Sequence, residues 1–134
     1  MKEQKISYSH QGQDLILLDL FRNQNSGTYV DVGCNHPIKE SNTYLLYKKG
    51  WSGFAIDAEI SFENEWLKYR ERDLFINAAI AKNKGEVTFF RFDQNTMSTI
   101  DKKTMRNYSE KHGQPVDEIV VDTIPAYDIL LNLN

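Results

Sequence analysis

The feature that most constrains the fold is a strand followed by a helix, a pattern that occurs twice in the N-terminal half of the chain. The β-rich run Thr28–Val32 ends at Gly33 and precedes a helical segment over residues 42–49. A second run over residues 53–57 ends in an acid and precedes a helical segment over residues 61–69. Strands and helices that alternate at this spacing form a parallel sheet with right-handed crossovers. We therefore predict an α/β fold with a Rossmann-like, doubly wound sheet.

The rest of the chain is less regular, and its elements are predicted from shorter signals. Leu15 and Leu18 lie at helical spacing, and Ser61 is a candidate cap for the helix that follows it. The turn over residues 82–85 predicts that a third strand folds back as a hairpin with the next strand. The other predicted elements are a first helix over 14–21, a third strand over 75–80, a fourth over 86–92, a partly helical segment over 101–111, a last strand over 118–124, and a short helix that Pro125 opens and that runs to residue 134.

Length, charge and cysteine content narrow the class of protein. The 134 residues fit a single domain, 1–134, with one hydrophobic core. With 16 basic and 19 acidic residues the net charge is −3, and no dense Lys/Arg run is available to follow a phosphate backbone, so we expect no nucleic-acid partner.

The one cysteine, Cys34, cannot form an intramolecular disulfide and fits a cytoplasmic setting. No run approaches the roughly 18 apolar residues of a membrane span, and we expect neither a span nor a targeting segment.

The first candidate binding site is the sequence Asp-Val-Gly-Cys-Asn at the end of the first predicted strand. Gly33 lets the backbone approach a ligand closely, and Asp31 can receive a ligand ammonium. The amides after the glycine, up to Asn35, can donate to a carboxylate. S-adenosylmethionine carries both an ammonium and a carboxylate at its methionine end. A five-residue pattern of this kind also occurs in ordinary strand-to-turn connections with a capping Asp, so it is weakly specific by itself.

The second candidate is Asp57, at the end of the second predicted strand. An acid at this position can accept hydrogen bonds from both ribose hydroxyls of an adenosyl group. A plain loop acid is the alternative, but two such features on successive strands of one βαβ unit favour an adenosyl cofactor. The Gly-x-Gly-x-x-Gly fingerprint that binds the pyrophosphate of a dinucleotide is absent, which disfavours a nucleotide-binding dehydrogenase.

Several blocks of the sequence resemble the FkbM-type methyltransferases. These blocks cover residues 7–15, 29–37, 41–53, 56–58 and 77–80, and the resemblance extends over nearly the whole chain. It implies an S-adenosylmethionine-dependent enzyme that methylates a hydroxyl of a sugar or polyketide-type acceptor, often in polysaccharide biosynthesis. Two positions depart from the family pattern, since Gln13 stands where glutamate is usual and Cys34 where alanine is usual.

The resemblance implies that the cofactor binds at the ends of three strands. It also implies that residues 9–14 close over the bound cofactor. The residues carried over are Asp31, Gly33 and Asn35 for the methionine end, Asp57 for the ribose, Asn77 and Ala78 for the adenine edge, and Gln11 and Asp14 in the closing segment. Asp14 is also expected in the first turn of the first helix, where an acid interacts favourably with the helix dipole.

In relatives of this family the segment that matches residues 124–130 is followed by another strand. That strand carries an Ile-Asp-Val-Glu-Gly-like motif, which faces the acceptor. This sequence contains no such motif after that segment, so the resemblance implies an incomplete sheet. We expect the first β-α-β-α-β half plus additional strands, with an exposed sheet edge that favours pairing with a second copy. The alternative function is a non-catalytic, truncated cofactor-binding or interaction module.

Three further side chains near the proposed site have weaker signals. Cys34 and His36 have no second cluster of ligands elsewhere in the sequence, so no metal site is expected. Cys34 has no evident base or orienting acid and is expected to be a small buried residue rather than a nucleophile. His36 is a candidate general base for the acceptor hydroxyl.

Overall fold

A computed structural model describes residues 6–132 as a mixed α/β fold. The helices are α1 (Gln13–Leu20), α2 (Tyr44–Lys48), α3 (Glu63–Tyr69), α4 (Lys102–His112) and α5 (Ala126–Leu130). The strands are β1 (Thr28–Val32), β2 (Ser52–Asp57), β3 (Leu74–Asn77), β4 (Ala79–Ile80), β5 (Gly85–Arg91) and β6 (Asp117–Ile124), and a 3₁₀ turn lies at Asn95–Met97. The alternation of strands and helices predicted for the N-terminal half is confirmed. The predicted end of the C-terminal helix at residue 134 lies outside the described residues.

The first three strands form a parallel sheet in the order β1-β2-β3. The register pairs Val32 of β1 with Ile56 of β2, and Asp57 of β2 with Asn77 of β3. All three strands therefore end at the same edge of the sheet, the edge at which α/β proteins bind ligands. Within residues 6–132, β1 has no strand on its outer side, so it is an exposed edge of the sheet.

The predicted hairpin between the third strand and the next strand is wrong. The run over 75–80 divides at Ala78, whose N–H donates to the Asp57 carbonyl at 3.0 Å, so β3 pairs with β2 while β4 enters a second sheet. In that sheet, of order β4-β6-β5, β6 lies parallel to β4 and antiparallel to β5. The prediction failed because β5 finds a seven-residue ladder with β6, whereas β4 has only two residues to offer.

The N-termini of α4 and α3 are capped in different ways. Asp101 caps α4 as an extended residue whose carboxylate accepts from the Thr104 N–H at 2.7 Å. Ser61 does not cap α3, because that helix begins two residues later and has Phe62 at its N-cap without a side-chain hydrogen bond. The Ser61 N–H instead donates to Oε1 of Glu59 at 3.1 Å, so Ser61 belongs to the turn that follows β2.

The core consists of adjoining apolar clusters that join the two sheets. Ile56 and Ala78 of the parallel sheet pack with Ile129 of α5, and all three side chains are almost completely buried. On the other side Ala58 packs with Phe89 and other apolar residues of the second sheet. A cavity at the carboxyl ends of β1 and β2 is also lined by Phe89 of β5. None of the helices within residues 6–132 is both long enough and apolar enough to cross a membrane.

Candidate functional site

Two adjoining cavities open at the carboxyl ends of β1 and β2. The first, here called the β2 lobe, has a volume of about 460 Å³, and the second, the β1 lobe, about 540 Å³. Both volumes lie in the range of roughly 300–1,000 Å³ that is usual for small-molecule sites. The lobes share three lining residues, Gly33, Asn35 and Thr96. A ligand could therefore extend from one lobe into the other past the end of β1.

Gly33 forms the turn between the two lobes. Its φ of +70° lies in the left-handed region, which glycine adopts without a steric penalty. A Cβ built at this position would meet no atom within 4 Å, so it would stand in the open space of the site. The amides of Gly33 and Cys34 donate to the Ile56 carbonyl at 2.8 and 3.3 Å. These two amides therefore hold β1 against β2, and of the amides after the glycine the one at Cys34 is already engaged by the protein.

Asn35 is held in a left-handed conformation, with φ of +50°, by hydrogen bonds at both of its backbone groups. Its N–H donates to Oδ2 of Asp57 at 2.7 Å, and its carbonyl accepts from Nε1 of Trp66, also at 2.7 Å. Its side-chain Oδ1 is buried and has no partner among the described residues. Because a buried polar atom without a partner is costly, this oxygen is suited to accept a hydrogen bond from a ligand.

Asp57 lines the β2 lobe with part of its hydrogen-bonding capacity unused. Oδ1 accepts from the Glu59 N–H at 2.8 Å, and Oδ2 accepts from the Asn35 N–H. A carboxylate offers about four acceptor positions, so these bonds leave about two for a ligand. Burial raises the pKa of Asp57, and the two N–H donors offset only part of that rise. Two free acceptor positions on one carboxylate fit a pair of neighbouring hydroxyls.

Asp31 lines the β1 lobe, and the protein holds one of its two carboxylate oxygens. Its Oδ2 accepts from the Thr43 hydroxyl at 2.6 Å, while Oδ1 accepts no hydrogen bond from residues 6–132. Burial raises the pKa of Asp31, and the Thr43 hydrogen bond and the charge of Arg70 oppose part of this rise. A positively charged ligand group next to Oδ1 would favour the ionised form and offset the cost of burying it.

The electrostatic character of the site is acidic. Asp57 and Glu59 line the β2 lobe, and Asp31 and Glu40 line the β1 lobe. No lysine or arginine lines either lobe in the described part of the chain. Arg91 reaches Glu59 from outside, with its Nε 2.8 Å from Oε2. An acidic site whose described lining holds no lysine or arginine favours a cationic ligand and opposes a pyrophosphate.

The N-terminal segment is fixed against the site by a buried carboxylate. Asp14 is completely buried and accepts from the hydroxyls of Ser7 and Ser9 at 2.6 and 2.8 Å and from the N–H of Tyr8 at 2.7 Å. Burial pushes the pKa of Asp14 upward, but these hydrogen bonds outweigh it and hold the pKa below its usual value. Asp14 is thus not part of the lining of either lobe, and its bonds fix the segment that precedes α1.

Other residues of that segment reach the β1 lobe instead. His10 and Gln13 line it, and Nδ1 of His10 is 3.6 Å from Oε1 of Glu40. Gln11 is exposed, lines neither lobe and donates its N–H to Oε1 of Gln13. The segment of residues 9–14 thus borders the β1 lobe through His10 and Gln13, and its closure over a cofactor stays a prediction.

The two residues predicted at the adenine edge have different places. Ala78 lines the β2 lobe. Asn77 lines neither lobe, because its side-chain amide donates to the carbonyls of Asp57 and Ala58 at 2.9 and 3.0 Å. Asn77 thus holds the end of β2 in position. The apolar part of this lobe is formed by Val32, Ile56, Ala58, Ala78, Ala79, Ile80, Phe89 and Ile100.

His36 and Cys34 have structural roles. Nδ1 of His36 accepts from the N–H groups of Ile38 and Lys39, both at 3.0 Å, and burial lowers the pKa of the imidazole. This nitrogen is therefore not available to take a proton from an acceptor. Cys34 packs with Ala55 and Trp66, and burial raises the pKa of its thiol far above the usual range. Among the described residues, no three His, Cys, Asp or Glu side chains form a group that could hold a metal ion.

Several residues at the site carry no sequence signal that would identify them. Glu59 lies two positions after Asp57, where only the burial of its side chain reveals a role. Thr43 falls inside a block of family resemblance, but its contact with Asp31 depends on the path of the chain between β1 and α2. The segment after β5 also reaches the β2 lobe, where no local pattern places it, through Thr96, Ser98, Thr99 and Ile100.

Comparison with known proteins yields no relative: no family model, no curated protein and no solved structure matches the chain. The resemblance to FkbM-type methyltransferases therefore stays a prediction, and the geometry of the two lobes carries the functional argument.

Proposed function

We propose that the protein is an S-adenosylmethionine-dependent methyltransferase of the FkbM type, whose parallel sheet is the first half of a Rossmann-like methyltransferase sheet. The observation that carries the proposal is a pair of carboxylates, Asp31 and Asp57, one in each of two lobes that meet at Gly33. S-adenosylmethionine carries a sulfonium cation between a nucleoside and an amino-acid end that has an ammonium and a carboxylate. The ribose hydroxyls and the ammonium each require a hydrogen-bond acceptor.

The residues of the β2 lobe fit the nucleoside. Asp57 has about two unused acceptor positions for the ribose hydroxyls, which are adjacent donors. The apolar wall that includes Ala78 and Phe89 suits the faces of a purine. Hydroxyls from Thr96, Ser98 and Thr99 on the opposite side supply polar groups for its edge.

The residues of the β1 lobe fit the amino-acid end. Oδ1 of Asp31 and the buried Oδ1 of Asn35 are acceptors without a partner among residues 6–132, and an ammonium is a donor that can satisfy both. The carboxylate requires donors, and the side-chain amides of Gln13, Asn42 and Gln94 line the same lobe. No lysine or arginine of residues 6–132 lines either lobe, which also supports a cationic cofactor over a dinucleotide.

When bound, S-adenosylmethionine supplies an electrophilic methyl group, which an acceptor hydroxyl takes with loss of its proton. Among residues 6–132, His10 is the histidine that lines one of the two lobes, and it is the proposed acceptor of that proton. The remaining contribution of the chain is to hold and orient the cofactor against the acceptor, which is a sugar or another hydroxylated compound.

The test is calorimetric titration of the protein with S-adenosylmethionine, S-adenosylhomocysteine and NAD. The proposal requires saturable binding of the first two and none of NAD. Equal or tighter binding of NAD, or no binding of either adenosyl compound, would refute it.

The second step is a methyl-transfer assay with labelled cofactor and a panel of glycans and small hydroxylated acceptors. Transfer to one class of acceptor would identify the enzyme's substrate. Cofactor binding without transfer to any acceptor would favour the alternative, a non-catalytic cofactor-binding module.

A further inference from the structure

A buried ion pair lies behind the β1 lobe, outside the set of residues that line it. Arg70, just after α3, and Asp73, just before β3, both have completely buried side chains, and Nη2 of Arg70 is 2.7 Å from Oδ2 of Asp73. The guanidinium also lies over the rings of Trp66 and Tyr47, 4.6 and 4.7 Å from their centroids. Removing a charged pair from water is costly, so each N–H group of Arg70 that does not bond to Asp73 requires another partner.

Every nitrogen of the guanidinium has such a partner. Nε donates to Oδ2 of Asp73 at 2.7 Å, and Nη1 donates to the Pro37 carbonyl at 2.8 Å and to the Ser41 hydroxyl at 3.5 Å. Nη2 donates to the Tyr29 hydroxyl at 2.8 Å and to the Thr43 hydroxyl at 2.9 Å. The last of these leads toward the β1 lobe, while the others join neighbouring segments of the chain.

The Thr43 hydroxyl has a fixed direction because of this contact. A hydroxyl has one proton to donate, and an N–H of Arg70 already occupies one of its acceptor positions. The proton is therefore directed to Oδ2 of Asp31, 2.6 Å away. One oxygen of Asp31 is thus tied to a buried and rigid group, and the other is left for the lobe.

We propose that Thr43, fixed by Arg70, is a positioning residue that orients the Asp31 carboxylate toward the ammonium of S-adenosylmethionine, an inference that rests on the proposed function. Thr43 does not line either lobe, so it acts only through Asp31. Its loss would leave the carboxylate free to rotate and with both oxygens in need of partners.

The experiment compares two ligands that differ at the amino-acid end. S-adenosylhomocysteine carries the ammonium, whereas 5′-methylthioadenosine has the same nucleoside without it. Thr43→Val keeps the shape of the side chain and removes the hydroxyl, and it should weaken S-adenosylhomocysteine about tenfold, the equivalent of one hydrogen bond to a charged group. The affinity for 5′-methylthioadenosine should be unchanged. Thr43→Ser, which keeps the hydroxyl, should restore wild-type affinity.

Thr123→Val is the matched control, because Thr123 has the same 7% exposure as Thr43 but lies in β6 and donates to the Asn83 carbonyl. It should leave both affinities unchanged. Equal weakening of the two ligands by Thr43→Val, or no weakening of either, would overturn the inference, as would a failure of Thr43→Ser to restore binding.

A measurement on the wild-type protein does not depend on whether Thr43→Val folds. The ¹³C resonance of the Asp31 carboxyl should shift on addition of S-adenosylhomocysteine and not on addition of 5′-methylthioadenosine. If both ligands bind and neither shifts it, the inference fails while the proposed nucleoside site stands. If neither ligand binds, the proposed function fails and the inference fails with it.

Discussion

Replacing Asp31 by asparagine separates the proposed binding role of this residue from any role in folding. Asparagine can still accept the Thr43 hydroxyl, because its one oxygen can take the place of Oδ2. The group that changes is Oδ1, which accepts no hydrogen bond from residues 6–132 and which would become an NH₂ facing the lobe. The substitution therefore alters the ligand side of the carboxylate and leaves its protein side intact.

The expected loss of affinity follows from the bond removed. A hydrogen bond between an ammonium and a carboxylate contributes about 1.5–3 kcal/mol, which corresponds to roughly 10- to 150-fold in Kd. S-adenosylhomocysteine should lose this amount in calorimetric titration, whereas 5′-methylthioadenosine should bind as it does to the wild type. Asp122→Asn, at an exposed position of β6, is the matched control and should change neither value.

The effect on stability should have the opposite sign. Burial raises the folded-state pKa of Asp31, so ionised Asp31 destabilises the fold above its unfolded pKa of about 3.9. Thermal unfolding near neutral pH should show Asp31→Asn to be as stable as the wild type or more stable. The wild type should gain stability relative to the variant as the pH falls through the raised pKa toward about 4. A variant that is less stable near neutral pH, or that loses both ligands equally, would refute this reasoning.

Three further substitutions test other parts of the site. Asp57→Ala should weaken S-adenosylhomocysteine and 5′-methylthioadenosine alike, by roughly 10- to 150-fold in titration, because both contain the ribose; an effect on one ligand alone would count against a ribose contact. Gly33→Val should abolish binding, since the valine side chain would enter the open space between the lobes. The left-handed φ at this position should lower the free energy of unfolding of the variant by about 1–2 kcal/mol in denaturant titration. Normal binding by this variant would exclude the proposed turn. Asp14→Asn should lower the free energy of unfolding by about 1–3 kcal/mol above the unfolded pKa of about 3.9, because hydrogen bonds lower the folded pKa of Asp14. That difference should disappear as the pH falls through the lowered pKa, and a constant difference would show that ionisation of Asp14 is not its cause.

The local pattern of the chain was sufficient to predict the parallel sheet and the ends of its strands. The β-rich run before Gly33 and the run that ends at Asp57 each form a strand whose carboxyl end lies at the site, as the register of β1 and β2 confirms. Strand ends are predictable in this way because glycine and aspartate interrupt the apolar periodicity at the same place where the chain leaves the sheet.

Pairing between distant segments was not predictable from local signals. The turn before β5 suggested a hairpin, but β5 and β4 both pair with β6, which lies more than 25 residues further along the chain. The residues that fix the site, including Arg70 and Thr43, are likewise distant in sequence from Asp31 and Asp57. An arginine at the end of a helix is usually exposed, so its burial follows from the packing of α3 against the strands and not from its own neighbours.

The most direct test of the central claim is an NMR titration of the ¹⁵N-labelled protein with S-adenosylhomocysteine. Asn35 and Glu59 donate their N–H groups to Asp57, and Gly33 lies between the lobes, so these three amides should report binding at the strand ends. The proposed site predicts saturable shifts of these resonances and of those from Thr96 to Ile100, with those of α4 unchanged. Saturable shifts confined to other parts of the chain, or none at all, would contradict it.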